Sequence, residues 1–313
     1  MNSNTVNLFF ACDDGYIPFL AVTLHSIKLH RDENRLYSVT VLHTGVNEQS
    51  KEKICSAFSD EKFAIHFNDI SESVETISKR LFTRDYYSKS TYFRLFIPDL
   101  YPKIDKALYL DCDIVLNADV AELYDVEIGN DLVGAVSDAF VNAVPRLHGY
   151  VTERIGVSTP KDYFNAGVLL MNLRKMREVG FEDNFIDLIA KVKFEVAQDQ
   201  DYLNVLCNKK RTTVGDEWNF MPGFSTHQGE NKLIHFNLDN KPWHKDGVEF
   251  ADLFWKHANS CCYAKEIAKI HETYKENKKS AKETVNLIDL AEMQGKDEKT
   301  NLEIRKMLES IRM

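Results

Sequence analysis

Apolar, β-branched and aromatic residues gather in short runs that end abruptly in polar ones. The first is VNLFFACDD (Val6–Asp14), the second YSVTVLHTG (Tyr37–Gly45) and the third KALYLDCD (Lys106–Asp113). Runs of this length and composition predict buried strands. Between them apolar residues recur at helical spacing. PFLAVTLHSIKLH ends with His30 before Arg31, and NEQSKEKICSAFS follows the second run. TYFRLFIPDLYP predicts a helix that Pro98 or Pro102 stops. Further on, DLVGAVSDAF predicts a strand and YFNAGVLLMNLRKMRE a strand leading into a helix. FIDLIAKVKFEVAQDQDYLNVLC predicts helix with a polar interruption, and NKLIHFNLDNKPWH a strand that breaks at its polar end. Alternating strands and helices predict an α/β domain whose mostly parallel sheet is covered on both faces. Ligands of such sheets sit at the carboxyl ends of the strands, where CDD and DCD fall.

From about Ala251 the pattern changes. YAKEIAKIHETYKENKKSAKETVNLIDLAEM and EIRKMLESIRM are charged, mixed in sign and helix-favouring. The expectation is one domain over 1–250 and a C-terminal helical extension over 251–313, packed on the domain or solvated. Its balanced charges argue for at most peripheral membrane contact.

Composition narrows the function classes. With 313 residues, 44% hydrophobic and 28% charged, the chain can bury a substantial core. A formal net charge of -9 is a poor match for nucleic acid. Cys12, Cys55, Cys112, Cys207, Cys261 and Cys262 form no CxxC pair. They read as reduced thiols, consistent with a cytoplasmic location. The first apolar run has no basic residues before it and is broken at once by Asp13 and Asp14. It therefore reads as a core strand, not a signal peptide. No run is long enough to span a bilayer.

The polar end of the third run carries the chemistry. Asp111 and Asp113 are separated by one residue, and two close carboxylates repel unless a cation or donors offset them. Hard carboxylate oxygens suit Mg²⁺ or Mn²⁺. Asp is equally at home in turns and helix caps, and the tripeptide alone does not choose. A third reading makes Asp111 a phosphatase nucleophile. Such enzymes usually carry the motif on an N-terminal strand, whereas about a third of this chain precedes it, and no later Lys followed by an acidic pair is convincing as its partner.

Six segments in order, FFACDDGY, STYFRLFIPDL, ALYLDCDIVLNADVAELY, YFNAGVLLMNL, QDQDYLN and IHFNLDNKPWH, resemble glycosyltransferase family 8 over roughly residues 6–245. That group contains bacterial lipopolysaccharide galactosyl- and glucosyltransferases and glycogenin. The resemblance implies a GT-A fold, with a Rossmann-like sheet, and retaining transfer of a hexose from UDP-glucose or UDP-galactose with Mn²⁺ (or Mg²⁺) bound. The acceptor it implies is a hydroxyl of a glycan, glycolipid or glycoprotein. Metal ligands would be Asp111, Asp113 and His235, with Cys112 in the same donor-binding turn. Ala11, Asp13 and Tyr16 would hold uracil and ribose, and Arg94 and Lys241 the diphosphate. Asn165, Ala166 and Gly167 would wall the donor sugar. Asp138 would lie near both sugars, Asp199 on sugar hydroxyls, and Gln200 beside the anomeric carbon. These last three are the catalytic candidates.

An amide such as Gln200 is a poor nucleophile, so front-face attack is expected, with the diphosphate taking the acceptor's proton. Leu238 stands where the family's His-x-x-Gly-x-x-Lys-Pro-Trp pattern has Gly. It keeps a backbone amide for the phosphate but disfavours positive φ, so the loop is expected to close differently. Residues 78–91 and 235–244 are candidate lids. Outside this reading stand an Asp111 phosphohydrolase and a UDP-sugar binder without turnover.

Overall fold

The computed structural model describes residues 4–75, 89–275 and 281–309. Its strands are β1 (Thr5–Ala11), β2 (Leu36–His43), β3 (Phe63–Asp69), β4 (Lys106–Leu110), β5 (Ile114–Leu116), β6 (Val133–Ala135), β7 (Val168–Asn172), β8 (Arg211–Thr213) and β9 (Leu233–His235). Seven of them form one sheet in the order β3-β2-β1-β4-β7-β6-β8, and β5 and β9 form a small second sheet. Within the large sheet β7 runs antiparallel to β4 and β6, and every other pairing is parallel.

Both faces of the large sheet are covered, which is why its central strands read as continuous apolar runs. Val6, Leu8 and Phe10 of β1 face one core with Leu108 and Leu110. Phe9 faces the other with Ala107 and Tyr109. Register sets the functional edge. Leu8 lies opposite Leu108 and Phe9 opposite Tyr109. Continuing that register brings Ala11 level with Asp111, so the polar ends of both strands emerge side by side.

Three strands escaped the pattern. β3 alternates buried Phe63 and Ile65 with exposed Ala64 and His66, because it is a half-covered edge strand. β5 and β8 are only three residues long. The segment read as one helix before β4 is a 3₁₀ stretch over Lys89–Phe96 followed by an α-turn, Ile97–Leu100. Pro98 opens that turn instead of stopping it, since a first-turn residue has no intrahelical N–H bond to lose.

The helices after residue 250 add to both cores. Phe254, Ala258 and Ile267 join the core beneath β1, where the helix Ala251–Ala258 packs on the helix Ile17–His30. Ala291, Ile304 and Leu308 join the other. A Cβ at Gly295 would sit 2.6 Å from the Tyr150 amide nitrogen, so the helix Ala281–Gly295 approaches the domain backbone closely. All six cysteines are free thiols. No helix among the described residues is long and apolar enough to cross a membrane.

Candidate active site

Asp111 to Asp113 link β4 to β5, and the small second sheet swings His235 beside them, with Ile114 paired to His235. The Phe236 amide donates to the Asp113 carbonyl at 2.8 Å, and the Asp111 amide to the Gly167 carbonyl at 2.8 Å. Backbone pairing therefore fixes all three side chains. One potential ligand atom from each of Asp111, Asp113 and His235 lies within 4.8 Å of the others. His235 Nε2 is 3.3 Å from Asp113 Oδ1 and 3.9 Å from Asp111 Oδ2. Its Nδ1 lies 2.9 Å from Asn219 Oδ1, which makes Nδ1 the donor and turns the Nε2 lone pair toward the carboxylates.

A lone pair and two carboxylates converging on one point fit a small divalent cation. Asp113 Oδ1 is buried and accepts no hydrogen bond. The space also depends on Gly167, where a Cβ would lie 2.4 Å from His235 Cε1 and 2.7 Å from Asp111 Oδ2. The donor set, two carboxylates and one imidazole, suits Mn²⁺ chemistry.

Two buried cations flank the pair. Lys241, 3% exposed, donates to Asp113 Oδ2 and, at 2.9 Å, to the Phe236 carbonyl. Burial works against the charged form of Asp113, but the positive charge of Lys241 outweighs it and holds the carboxyl well below the usual range. Arg94, 2% exposed, is no surface helix residue. Its Nη2 donates to Asp111 Oδ1 at 2.9 Å, its Nη1 to the Ala166 carbonyl, and its Nε lies 3.1 Å from Asp199 Oδ2. The guanidinium sits 4.2 Å from the centre of the Tyr109 ring. Burial pushes the Asp199 carboxyl up to about 6, with Arg94 opposing and Asp111 adding to the rise.

Beyond the carboxylates lies a hydrogen-bonded wall. Gln200 Oε1 accepts from the Ala166 amide at 2.9 Å and from Asn165 Nδ2 at 3.3 Å, and Gln200 Nε2 donates to Asp138 Oδ2 at 3.0 Å. Asp138 Oδ1 caps the helix Ala139–Ala143 by accepting from the Val141 amide at 2.9 Å. On the other side, Asp13 is exposed after β1 and Tyr16 starts the helix Ile17–His30, with Lys241 Nζ 6.0 Å from its ring centre. Cys112 points inward, its Sγ 3.7 Å from the Ala11 carbonyl. Every site residue expected from the sequence lines this one pocket.

The sequence model of glycosyl transferase family 8 matches residues 7–247. The chain belongs to that family. A putative glycosyltransferase of Haemophilus influenzae is 30% identical over 78% of this chain and 74% of its own length. The lipopolysaccharide 1,2-glucosyltransferase of Escherichia coli is 25% identical over 78% and 74%. Among solved structures, the bifunctional glycosyltransferase WbbM superposes with a TM-score of 0.73 at 28% identity, over 86% of this chain and about half (52%) of WbbM. The galactosyltransferase LgtC, solved with donor and acceptor sugar analogues, gives 0.68 at 26% identity over 82% and 96%. The fold is thus the GT-A fold of these neighbours.

In this family 8 glycosyltransferase further residues shape the pocket, and Asn219 among them carries no sequence signal. Asn219 holds His235 Nδ1 and also donates to Asn165 Oδ1 at 3.0 Å, tying the Asp111–Asp113–His235 cluster to the Asn165–Gln200 wall. Gln198 adopts φ 49 and ψ -118 at the start of the helix Asp199–Leu206, with both side-chain polar atoms buried and without hydrogen bonds. That strained turn presents Asp199 and Gln200. Leu238 takes φ 49, the left-handed region a glycine would favour. Leu238 thus adopts the positive φ that its side chain disfavours. Trp243 anchors the same loop by stacking on Phe19 at 4.0 Å, and His244 stacks on Tyr274 at 3.7 Å. Of the other candidate lid, residues 78–88 lie outside the described residues; Thr91 lines the pocket.

Proposed function

We propose that this chain is a retaining hexosyltransferase that moves glucose or galactose from a UDP-sugar to a hydroxyl of a glycan, glycolipid or glycoprotein, with Mn²⁺ held by Asp111, Asp113 and His235. The observation that carries the reading is the convergence of these three ligands with buried Lys241 and Arg94, in one pocket with the Asp138–Asn165–Gln200 wall. A bound divalent cation would neutralise diphosphate charge as the glycosidic bond breaks.

The chain's own residues supply the rest. Tyr16 offers a ring face to uracil and Asp13 a hydrogen-bond acceptor. Lys241 and Arg94, engaged with carboxylates here, can turn to phosphate oxygens. Asp138, Asn165 and Asp199 present acceptors and donors to sugar hydroxyls. Gln200 has its carbonyl held by the Ala166 amide, which leaves it a positioning group and a poor nucleophile. Reaction then runs on one face: the bond between the anomeric carbon and the β-phosphate oxygen breaks, the bond to the acceptor oxygen forms, and the acceptor's proton passes to a phosphate oxygen of the departing UDP. A cytoplasmic site of action, where UDP-sugars are made, fits this chemistry.

The test is UDP release with Mn²⁺ from UDP-glucose, UDP-galactose and UDP-N-acetylglucosamine in parallel. Slow, EDTA-sensitive release from one hexose donor is expected. Phosphate release without UDP release would favour the Asp111 phosphohydrolase, and UDP binding without any turnover in the presence of acceptors would favour a non-catalytic binder.

A further inference from the structure

The pocket continues past Asp138 and Gln200, and there its chemistry changes. Phe140 and Val141, in the short helix that Asp138 caps, line the cavity together with Val151 and Leu287. Tyr150 and Tyr163 also line it, yet neither turns its hydroxyl to a ligand. Tyr150 donates to Asp201 Oδ2 at 2.8 Å and Tyr163 to Asp201 Oδ1 at 2.7 Å. Asp201 is fully buried and takes a third bond, from the Ala197 amide at 2.9 Å. It therefore consumes the polar ends of both tyrosines and leaves their ring bodies to the cavity. None of these six side chains offers a free polar group, whereas a polyhydroxylated ligand would need partners for its hydroxyls.

Leu287 adds a second observation. It comes from the helix Ala281–Gly295, which packs on the segment Tyr150–Ile155 and is tied to the preceding turn, Pro145–Leu147, by the Arg146–Asp289 pair at 2.7 Å. The C-terminal extension thus forms part of the wall.

On the transferase reading above, we infer that this end receives the acceptor, that the acceptor carries an uncharged alkyl or aryl aglycone next to its reacting sugar, and that Leu287 selects for it. The aglycone fills the space between the two tyrosine rings and Leu287, while the acceptor hydroxyl stays at Asp138 and Gln200. Burying an alkyl chain there contributes through apolar area alone, so affinity rises with chain length.

The experiment uses the full chain with Mn²⁺ and the donor it hydrolyses. Methyl, phenyl and n-octyl β-glycosides of glucose, galactose and N-acetylglucosamine are compared below their micellar concentrations. For at least one sugar, the octyl or phenyl glycoside is expected to stimulate UDP release at a concentration at least tenfold lower than the methyl glycoside; the better of the two arms identifies alkyl or aryl. In Leu287→Asp that advantage falls to within twofold, and in Leu287→Ala it falls severalfold. Acceptor-free UDP release and the UDP-induced rise in Tm stay unchanged in both variants. Equal response to methyl, phenyl and octyl glycosides overturns the inference, as does an advantage that survives Leu287→Asp, or UDP binding with no response to any glycoside in either Tm or turnover. If UDP itself fails to bind while octyl glycosides raise Tm in the wild type but not in Leu287→Asp, the transferase reading fails and the apolar site stands.

Discussion

The two ends of the pocket are built on opposite principles. One end gathers Asp111, Asp113 and His235 at strand ends with Asp199, Arg94 and Lys241 from the segments around them, and its buried charges offset each other. The other end comes from helical segments, and its one buried acid, Asp201, faces away from the cavity to hold two tyrosines. The difference teaches what each end must recognise. On the proposed transferase reading a diphosphate leaving group carries its charge whatever the acceptor, so the charged end would hold it with fixed charges at fixed spacing. On the inference above, the other end would select an apolar aglycone by shape and apolar area, which many residues can supply.

Substitutions at each end can break or sharpen this contrast. The largest effect is expected from Asp113→Asn, which removes a proposed metal ligand and leaves buried Lys241 without its counter-charge. Transfer should fall by about 10³-fold or more, and the Mn²⁺-dependent rise in Tm should vanish. A variant that keeps both would break the donor-end account. Gly167→Ala follows, because its Cβ would press on His235 and Asp111. Displacement of these ligands should cost about 10²-fold in kcat with little change in far-UV circular dichroism.

Asp201→Asn probes the other end through pH. Burial raises the Asp201 carboxyl to about 6 against its ordinary 3.8, with the tyrosines and the Ala197 amide opposing. A raised carboxyl contributes stability that is fully present below pH 3.8 and is lost as pH rises through 6. About 3 kcal/mol of stability should therefore disappear from the wild type across that window, and Asp201→Asn should lack this fall. Denaturant midpoints between pH 4 and 7 read it directly; parallel curves for the two proteins would refute it. The smallest effect belongs to Asn219→Ala. It frees the His235 ring without removing a ligand, so Mn²⁺ affinity should drop about tenfold while stability changes little. Calorimetry with Mn²⁺ and UDP measures it, and unchanged affinity would exclude a role for Asn219 in orienting His235.

The fold was legible where strands are buried on both faces. β1, β2 and β4 announce themselves as apolar runs, and their polar ends mark the ligand edge. β3 was hidden because one of its faces is open, and β5 and β8 because three residues carry no period. The donor end was legible because its residues sit in short ordered motifs. Arg94, Lys241 and His235 would each pass for ordinary surface or packing residues outside that order. Asn219 and Leu287 stayed hidden for a physical reason: each meets the pocket through a tertiary approach between segments far apart in the chain, whereas Gln198 sits in the QDQDYLN motif and only its backbone conformation was unreadable. Leu238 departs from the motif in residue type, and it holds a left-handed backbone that a branched side chain resists.

The central claim is that the Asp111–Asp113–His235 cluster and the donor diphosphate share one cation. UDP affinity measured by calorimetry with and without Mn²⁺, in the wild type and in His235→Ala, tests it most directly. The account predicts that Mn²⁺ tightens UDP binding at least tenfold in the wild type and less than twofold in the variant. Equal UDP affinity with and without Mn²⁺ in the wild type would contradict it.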